Sequence, residues 1–206
     1  KETCMAKPSW LTTTPNSGSG NGSISNTATT HTGREVRTGT VTVTGSGVTE
    51  PKTYSVTQKA KPEFVSFDNG VEMSAPKTGG KVTVLGKSNS TALTYTWVGA
   101  VSDVELPAQY KANGAATNNG EAIAGDPGAT AEYASSIELT LPANETIEEI
   151  SRVIKVTAQG GQEAQITIKQ AAGDAFLNVT PASITLEADG SAVSVTVESN
   201  TTWTVS

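Results

Sequence analysis

The stretch Val193-Ser-Val-Thr-Val197 alternates apolar and polar residues, and Trp203-Thr-Val205 resumes the alternation after a polar break. Side chains of a β-strand point alternately to opposite faces, so each of these strands has one apolar face. Ile184-Thr-Leu186 predicts a further strand of the same kind. Together they predict the opening half of a β-sandwich, whose apolar face needs a covering sheet.

The apolar face of this half is large enough to demand a partner. Sealing about ten such side chains is worth roughly 15–30 kcal/mol by transfer estimates, as an upper bound. That amount exceeds the whole stability of a typical domain. We therefore expect the ends of the chain to find partners, and we expect assembly rather than catalysis to be the role of the protein.

Composition favours an all-β protein. The chain has 206 residues with 5% aromatic and 17% charged residues, which is typical of secreted or surface proteins with short strands and many turns. Its length suits two sandwiches of about 100 residues each. A net charge of -6 makes nucleic acid an unfavourable partner. No stretch reaches the roughly 20 apolar residues of a membrane span, so no membrane insertion is expected.

Strand patterns divide the chain into three parts. Residues 1–60, called the head, resemble the closing half of a sandwich, 61–172 form a complete middle sandwich, and 173–206, called the tail, form an opening half. Strands are predicted in the head at 10–14, 23–30, 37–44 and 53–57, and in the middle sandwich at 64–67, 71–74, 81–85, 93–97, 104–110, 135–141, 152–158 and 164–169.

The apolar residues from Lys111 to Glu132 recur with neither the two-residue period of a strand nor the 3.6-residue period of a helix. This region is therefore predicted to be a long loop. A flexible insertion and a binding loop both remain open as interpretations. Tyr110 and Tyr133 flank the loop and are the candidate glycan contacts, because sugar rings stack on aromatic side chains.

An internal repeat supports this division. The head sequence from Arg37 to Gln58 resembles the stretch from Arg152 to Gln170, and both end on a strand pair and a glutamine. The opening halves also correspond, because Val71-Glu-Met-Ser74 parallels Ile184-Thr-Leu-Glu187. Such a period identifies successive modules of one type.

The tail from Asn178 through Ser206 resembles the first half of a BACON domain, and the head from Trp10 to Gln58 resembles its second half. If Ser206 were followed by Lys1, the sequence would read as one continuous domain of that family. The middle sandwich is a divergent copy. The resemblance implies immunoglobulin-like β-sandwiches in tandem on exported, extracellular or cell-surface proteins of Bacteroides-type bacteria, often beside glycan-degrading modules. It supplies no sugar-binding residues.

Patterns for catalysis, metals and cofactors are weak. His31 is a single histidine at a strand end, and Glu145, Glu148 and Glu149 follow Pro142 as an exposed turn would. The single cysteine, Cys4, excludes an internal disulfide and a zinc site of several thiolates, and is interpreted as a free thiol. The prediction is a protein that is not an enzyme and has no catalytic, cofactor-binding or metal site.

The partner expected from these patterns is the protein itself, with its tail completing the head of a neighbouring copy. Closure within one chain would need short linkers to cross a gap wider than they can reach, so a head-to-tail filament or an array of adjacent repeats is favoured. A glycan-binding or spacer module is the alternative. The expected assembly residues are Ile184, Leu186, Val193, Val195, Val197, Trp203 and Val205 in the tail, and Trp10, Val41, Val43 and Val56 in the head.

Overall fold

The computed structural model describes residues 6–206. The prediction for Cys4 lies outside the described residues. All elements longer than one turn are strands, and the predicted all-β, immunoglobulin-like sandwich architecture is confirmed.

The middle sandwich consists of two facing sheets. Its strands are β5 (Val65–Phe67), β6 (Glu72–Ala75), β7 (Gly80–Ser88), β8 (Leu93–Val98), β9 (Gln109–Ala112), β10 (Ala115–Asn118), β11 (Tyr133–Leu141), β12 (Ile150–Ala158) and β13 (Glu163–Gln170). One sheet has the strand order β10-β9-β11-β7-β5, and the other has the order β6-β13-β12-β8.

Alternating side chains of these sheets make one apolar core. Ile137 and Leu139 of β11 point inward with Val84 of β7, and they meet Ile154 and Ile166 from the opposite sheet. These side chains are at most 1% exposed. The middle sandwich therefore has a complete core of its own.

The head and the tail are built from strand pairs. The head has β1 (Leu11–Thr14) paired with β2 (Ser25–Ala28), and β3 (Arg37–Val43) paired with β4 (Lys52–Gln58). The tail has one pair, β14 (Leu177–Thr180) with β15 (Thr196–Ser199). Within residues 6–206, no tail strand pairs with a head strand.

The three strands predicted for the tail are not all present. The segments 184–186 and 203–205 have no strand hydrogen bonds, and the strand predicted at 193–197 begins only at Thr196, as part of β15. A strand needs a neighbour to satisfy its backbone groups, and among the described residues these segments have none.

The predictions for 104–110 and 111–132 also need correction. Residues 104–108 are irregular, since the Val104 carbonyl accepts a hydrogen bond from Trp97 Nε1 (3.1 Å) and Pro107 lacks a backbone donor. The region beyond Tyr110 is ordered, with the β9–β10 hairpin and a 3-10 helix at Pro127–Ala129. Its short strands show no long alternation, which explains why the sequence predicts a loop.

Candidate assembly site

The head is attached to the middle sandwich by a joint centred on Asn89, which is fully buried. Its Nδ2 donates to the carbonyl oxygens of Thr32 (3.1 Å) and Pro62 (3.2 Å). Its Oδ1 accepts from the backbone N–H of Phe64 at 2.9 Å. One side chain therefore joins the head, the linker and the residue that precedes the first strand of the middle sandwich.

The 111–132 region, called the insertion, also contacts the head next to this joint. Arg34 of the head forms a bidentate ion pair with Asp126 (3.0 and 2.6 Å) and also donates to the Asn89 carbonyl (2.9 Å). The backbone N–H of Arg34 donates to the Gly128 carbonyl at 2.9 Å. Bidentate arginine–carboxylate pairs fix orientation as well as distance. The insertion therefore connects the head to the middle sandwich and fixes the position of Arg34.

Two glycines allow this close approach. A Cβ on Gly33 would collide with the backbone of Thr130, and a Cβ on Gly128 would collide with the carbonyl of Asn89. Another residue at position 33 would push the head away from the insertion, and another residue at position 128 would push the insertion away from Asn89.

The tail is attached to the middle sandwich by a second joint, which repeats the first. Asn200 Nδ2 donates to the carbonyls of Glu145 (2.9 Å) and Asp174 (2.8 Å), and its Oδ1 accepts from the Phe176 N–H (2.9 Å). Ser199 Oγ donates to the Phe176 carbonyl at 2.8 Å, as Ser88 Oγ donates to that of Phe64 at 2.6 Å.

The linker bonds recur as well. The N–H of Lys61 donates to the Gly33 carbonyl (2.9 Å), and the N–H of Gly173 donates to that of Thr146 (2.6 Å). The linker before the tail therefore has a backbone hydrogen bond equivalent to that of the linker before the middle sandwich.

The head in turn repeats the closing strands of the middle sandwich. Arg37 Nε donates to Gln58 Oε1 (2.9 Å), whose Nε2 donates to the Thr29 carbonyl (2.9 Å). In the middle sandwich, Arg152 Nη1 donates to Gln170 Oε1 (2.9 Å), whose Nε2 donates to the Pro142 carbonyl (2.7 Å). The two glutamines that the repeat predicts to correspond therefore make equivalent hydrogen bonds.

The charge on Arg152 is balanced differently from that on Arg37. The buried Arg152 pairs with Asp103, and its hydrogen bonds hold the pKa of that carboxyl below its ordinary value. Arg37 lies over the ring of Trp10 at 4.7 Å, a cation–π contact.

Most of the predicted assembly residues of the tail are exposed. The exposed fraction is 45% for Val193, 42% for Val195, 51% for Trp203 and 86% for Val205, while Val197 is half-buried against β14. Ile184 and Leu186 are exposed too. These apolar side chains of the tail are thus open to solvent in the isolated chain.

The predicted assembly residues of the head are divided. Val43 is exposed, Trp10 and Val56 are half-buried, and Val41 is buried, as Leu11 is. An open cleft of about 540 Å³ lies between the 13–24 region and β3, lined by Ile24, Val41 and Val43 among others. The head thus encloses part of a core and leaves a cleft beside it.

The two tyrosines proposed as glycan contacts are core residues, which corrects that prediction. Tyr110 is 2% exposed and its hydroxyl accepts from the Leu93 N–H (3.2 Å). Tyr133 is 3% exposed and its hydroxyl donates to the Ser90 carbonyl (2.9 Å). Burial raises the pKa of both hydroxyls, and it raises that of Tyr95 to about 12. Neither ring offers a face to a sugar.

The polar residues considered for catalysis do not form one site, because His31 lies in the head and the three glutamates lie in a loop of the middle sandwich. His31 Nε2 lies 2.6 Å from the Glu35 carbonyl oxygen, and Glu145, Glu148 and Glu149 are exposed in one loop. Among residues 6–206, no three His, Cys, Asp or Glu side chains are grouped so as to hold a metal ion. The same residues include no helix with the length and apolar character of a membrane span.

Residues 2–59 match the family model BACON, described as "Putative binding domain, N-terminal". The head is therefore similar to the BACON family over these matched residues. This recognition from the sequence is confirmed for the segment that the model covers. No curated protein matches the chain.

Several solved structures are similar to the chain. A GH5 xyloglucanase of Bacteroides ovatus, in complex with a XXXG heptasaccharide, has 14% identity and a TM-score of 0.34, over 53% of this chain and 19% of that one. A protein from Bacteroides thetaiotaomicron has 18% identity and a TM-score of 0.28, over 55% and 90%. Mouse clustered PcdhgC3 EC1-3 has 15% identity and a TM-score of 0.38, over 68% and 42%. The chain thus spans under half of the xyloglucanase and of the mouse protein.

Sequence reasoning missed Asn89, Asn200 and Asp126. The two asparagines could have been found, because each follows a serine at the end of a corresponding strand of the repeat, as Ser88-Asn89 and Ser199-Asn200. Asp126 has no equivalent signal, since its partner Arg34 is distant in sequence.

Proposed function

We propose that this protein is a non-catalytic structural protein that assembles head to tail outside the cell. The tail of one copy, residues 173–206, completes the head of a neighbouring copy, residues 1–60. Repetition of this contact builds a filament or surface fibre, because a heterologous contact continues until rotation closes it.

The observation that carries the proposal is the second joint. Asn200 docks the tail on the middle sandwich with the hydrogen bonds that Asn89 uses to dock the middle sandwich on the head. Since the joint precedes a complete sandwich in one case, we infer that it precedes one in the other. The residues that complete this second sandwich are those of a head.

The strand inventory of the two segments supports the same conclusion. The head has counterparts of β11, β12 and β13, and the tail has counterparts of β5 and of the end of β7. No strand of the middle sandwich therefore has a counterpart in both segments. The exposed apolar side chains of the tail would be buried in the joined sandwich, which supplies the driving force.

An extracellular or cell-surface location accompanies the proposal. It rests on the family of the head and on the low aromatic and charged content of the chain.

Complementation between two truncated chains tests the proposal. Residues 1–172 keep a head and lack the tail, and residues 61–206 keep a tail and lack the head, while both retain the complete middle core. The expected result is that each is monomeric alone and that the mixture forms a 1:1 complex, measured by light scattering after size exclusion. A mixture that stays monomeric contradicts the proposal.

Adjacent repeats of one longer chain would make the same contacts. Mass under denaturing conditions distinguishes the two arrangements, because separate subunits give 21.1 kDa and a covalent array gives a multiple of it.

Glycan binding is the second candidate, favoured by the description of the BACON family as a binding domain. Burial of Tyr110 and Tyr133 removes the aromatic platform first considered for it. Titration against a glycan array tests this candidate, and absence of binding at millimolar concentration contradicts it.

A further inference from the structure

We propose the strand register of the joined sandwich, an inference that rests on the proposed function. The outer edge of β2 in one copy pairs antiparallel with residues 191–199 of a second copy, placing Ser25 opposite Ser194. In the facing sheet, β4 pairs in parallel with the tail segment around Leu186, placing Val56 beside Leu186.

The middle sandwich supplies the template for the first pairing. There β11 lies between β9 and β7, and its Glu138 stands opposite Thr83 of β7. In the head, β2 pairs with β1 on one edge, and within the described residues no strand occupies its other edge. That second edge corresponds to the edge of β11 that binds β7.

Hydrogen bonds anchor the correspondence residue by residue. Thr29 matches Pro142, since each carbonyl accepts from the equivalent glutamine, and Ser199 matches Ser88 in the two joints. Counting back along the strands from these anchors matches Ser25 to Glu138 and Ser194 to Thr83. The pair Glu138–Thr83 therefore becomes Ser25–Ser194.

This register places apolar residues at matched inward positions, while Asn26 takes the inward place of Leu139, where its Oδ1 accepts from the Tyr54 hydroxyl at 2.9 Å. Ile24 occupies the place of Ile137 and Val195 that of Val84, two positions that are each 1% exposed in the middle sandwich. Ile24 and Val195 are 39% and 42% exposed in the isolated chain, and Ile24 lines the cleft of the head. A shift by one residue would turn this apolar set to solvent.

The facing sheet follows the same template. In the middle sandwich β13 pairs in parallel with β6, and Ile168 stands beside Met73. Val56 occupies the place of Ile168, and Leu186 occupies that of Met73 in the repeat. The half-buried Val56 and the exposed Leu186 would thus cover each other.

The geometry assigns the tail to a second copy rather than to its own head. The head joint lies at the Tyr133 end of β11, whose partner there is Ser88, and the tail joint lies beyond the Leu141 end, near Asn144. β11 has nine residues, which span about 26 Å at ~3.3 Å per residue. Head and tail are therefore held at opposite ends of the middle sandwich.

A cysteine pair tests the register on the full chain. The variant carries Ser25→Cys and Ser194→Cys with Cys4→Ser, so that the introduced thiols are its only ones. Both positions are exposed, and the proposed register places both on the outer face of the joined sandwich. The matched control replaces Ser194→Cys by Thr196→Cys, which moves the thiol two residues along the same face to a diagonal position too distant for a disulfide. Each protein is oxidised mildly and examined by non-reducing gel and by mass.

The expected result is a ladder of disulfide-linked multimers from the 25–194 pair and at least tenfold less linkage from the 25–196 pair. Stronger linkage in the control, or equal linkage, overturns the register, and the proposed function survives if sedimentation still detects association. A disulfide confined to single chains overturns the assignment to a second copy. A chain that neither links nor associates overturns the register and the proposed function together.

Discussion

Asn200 makes in the tail the hydrogen bonds that Asn89 makes in the middle sandwich, each amide accepting from a phenylalanine N–H at 2.9 Å and donating to carbonyls on both sides of a linker. The two differ in their surroundings. Asn89 is fully buried beneath the insertion, whereas Asn200 is half-buried. This difference allows the two joints to be compared within one protein.

Replacing Asn89 by Ala should destabilise the protein by about 2 kcal/mol, because buried carbonyls and the Phe64 N–H lose their partner. Asn89→Asp should cost at least as much, since a carboxylate would face carbonyl oxygens. Denaturant unfolding measures both. Asn200→Ala is the matched control and should cost under about 1 kcal/mol, because water reaches the tail joint. Equal losses at the two sites would contradict this account of burial.

Removal of the Arg34–Asp126 pair should loosen the head without unfolding the middle sandwich. In Arg34→Gln the bidentate contact is lost while the backbone bonds to Gly128 and Ala129 remain. Small-angle scattering should detect a larger radius of gyration, and limited proteolysis should be faster at residues 59–63. The control is Lys81→Gln, which breaks an exposed pair with Glu138 and should change neither measurement.

Acid should weaken the middle sandwich through Asp103. Its pKa in the folded protein lies below the ordinary 3.8, because Arg152 donates hydrogen bonds to the carboxylate. The stability that Asp103 contributes is therefore fully present above pH 3.8. It is lost as the pH falls through the lower pKa of the folded state. Asp103→Asn should cost about 1–2 kcal/mol at pH 7, since the buried Arg152 loses its ionised partner and Asp103 itself is partly screened. Unfolding free energy measured from pH 6 to pH 2 should fall less steeply in the variant than in the parent, and identical slopes would count against this assignment.

Alkali should weaken the same core through Tyr95. Burial raises its folded pKa to about 12 from the ordinary 10.0, so the unfolded chain ionises first and stability falls as the pH rises through that interval. Tyr95→Phe should lose about 1 kcal/mol at pH 7 with the bond to Ser135. Its stability should then decline less between pH 10 and pH 12, as followed by fluorescence-detected unfolding. A decline as steep as that of the parent would contradict the assignment.

A charge on the inward face of the tail should block assembly without disturbing the fold. Val195 is exposed in the isolated chain and inward in the joined sandwich, so Val195→Asp should weaken association roughly 100-fold, because burial of an unpaired carboxylate is costly. Ser194→Asp introduces the same charge on the outer face and is the control. Sedimentation velocity compares the two, and equal weakening would argue against the assigned faces.

The sequence was sufficient for the long strands of the middle sandwich, because they alternate strictly. Ile137, Leu139 and Val84 lie inward as their period predicts. It was insufficient where the structure depends on distant partners. Pro107 displaces the strand expected at 104–110, and the bonding role of Asn89 depends on carbonyls of Thr32, Lys61 and Pro62 that meet around it only in the fold.

The burial of Tyr110 and Tyr133 illustrates the same limit. Their place beside a long polar region suggested an exposed site, but both belong to strands whose register turns them inward. The repeat was more informative than any single motif, since it relates the head, the middle sandwich and the tail.

Sedimentation velocity of the intact chain over a range of concentrations tests head-to-tail assembly most directly. Species heavier than 21.1 kDa should grow with concentration, and deletion of residues 175–206 should leave a folded monomer. A chain that sediments at 21.1 kDa throughout, or a deletion variant that still associates, would contradict the claim that the tail completes a neighbouring head.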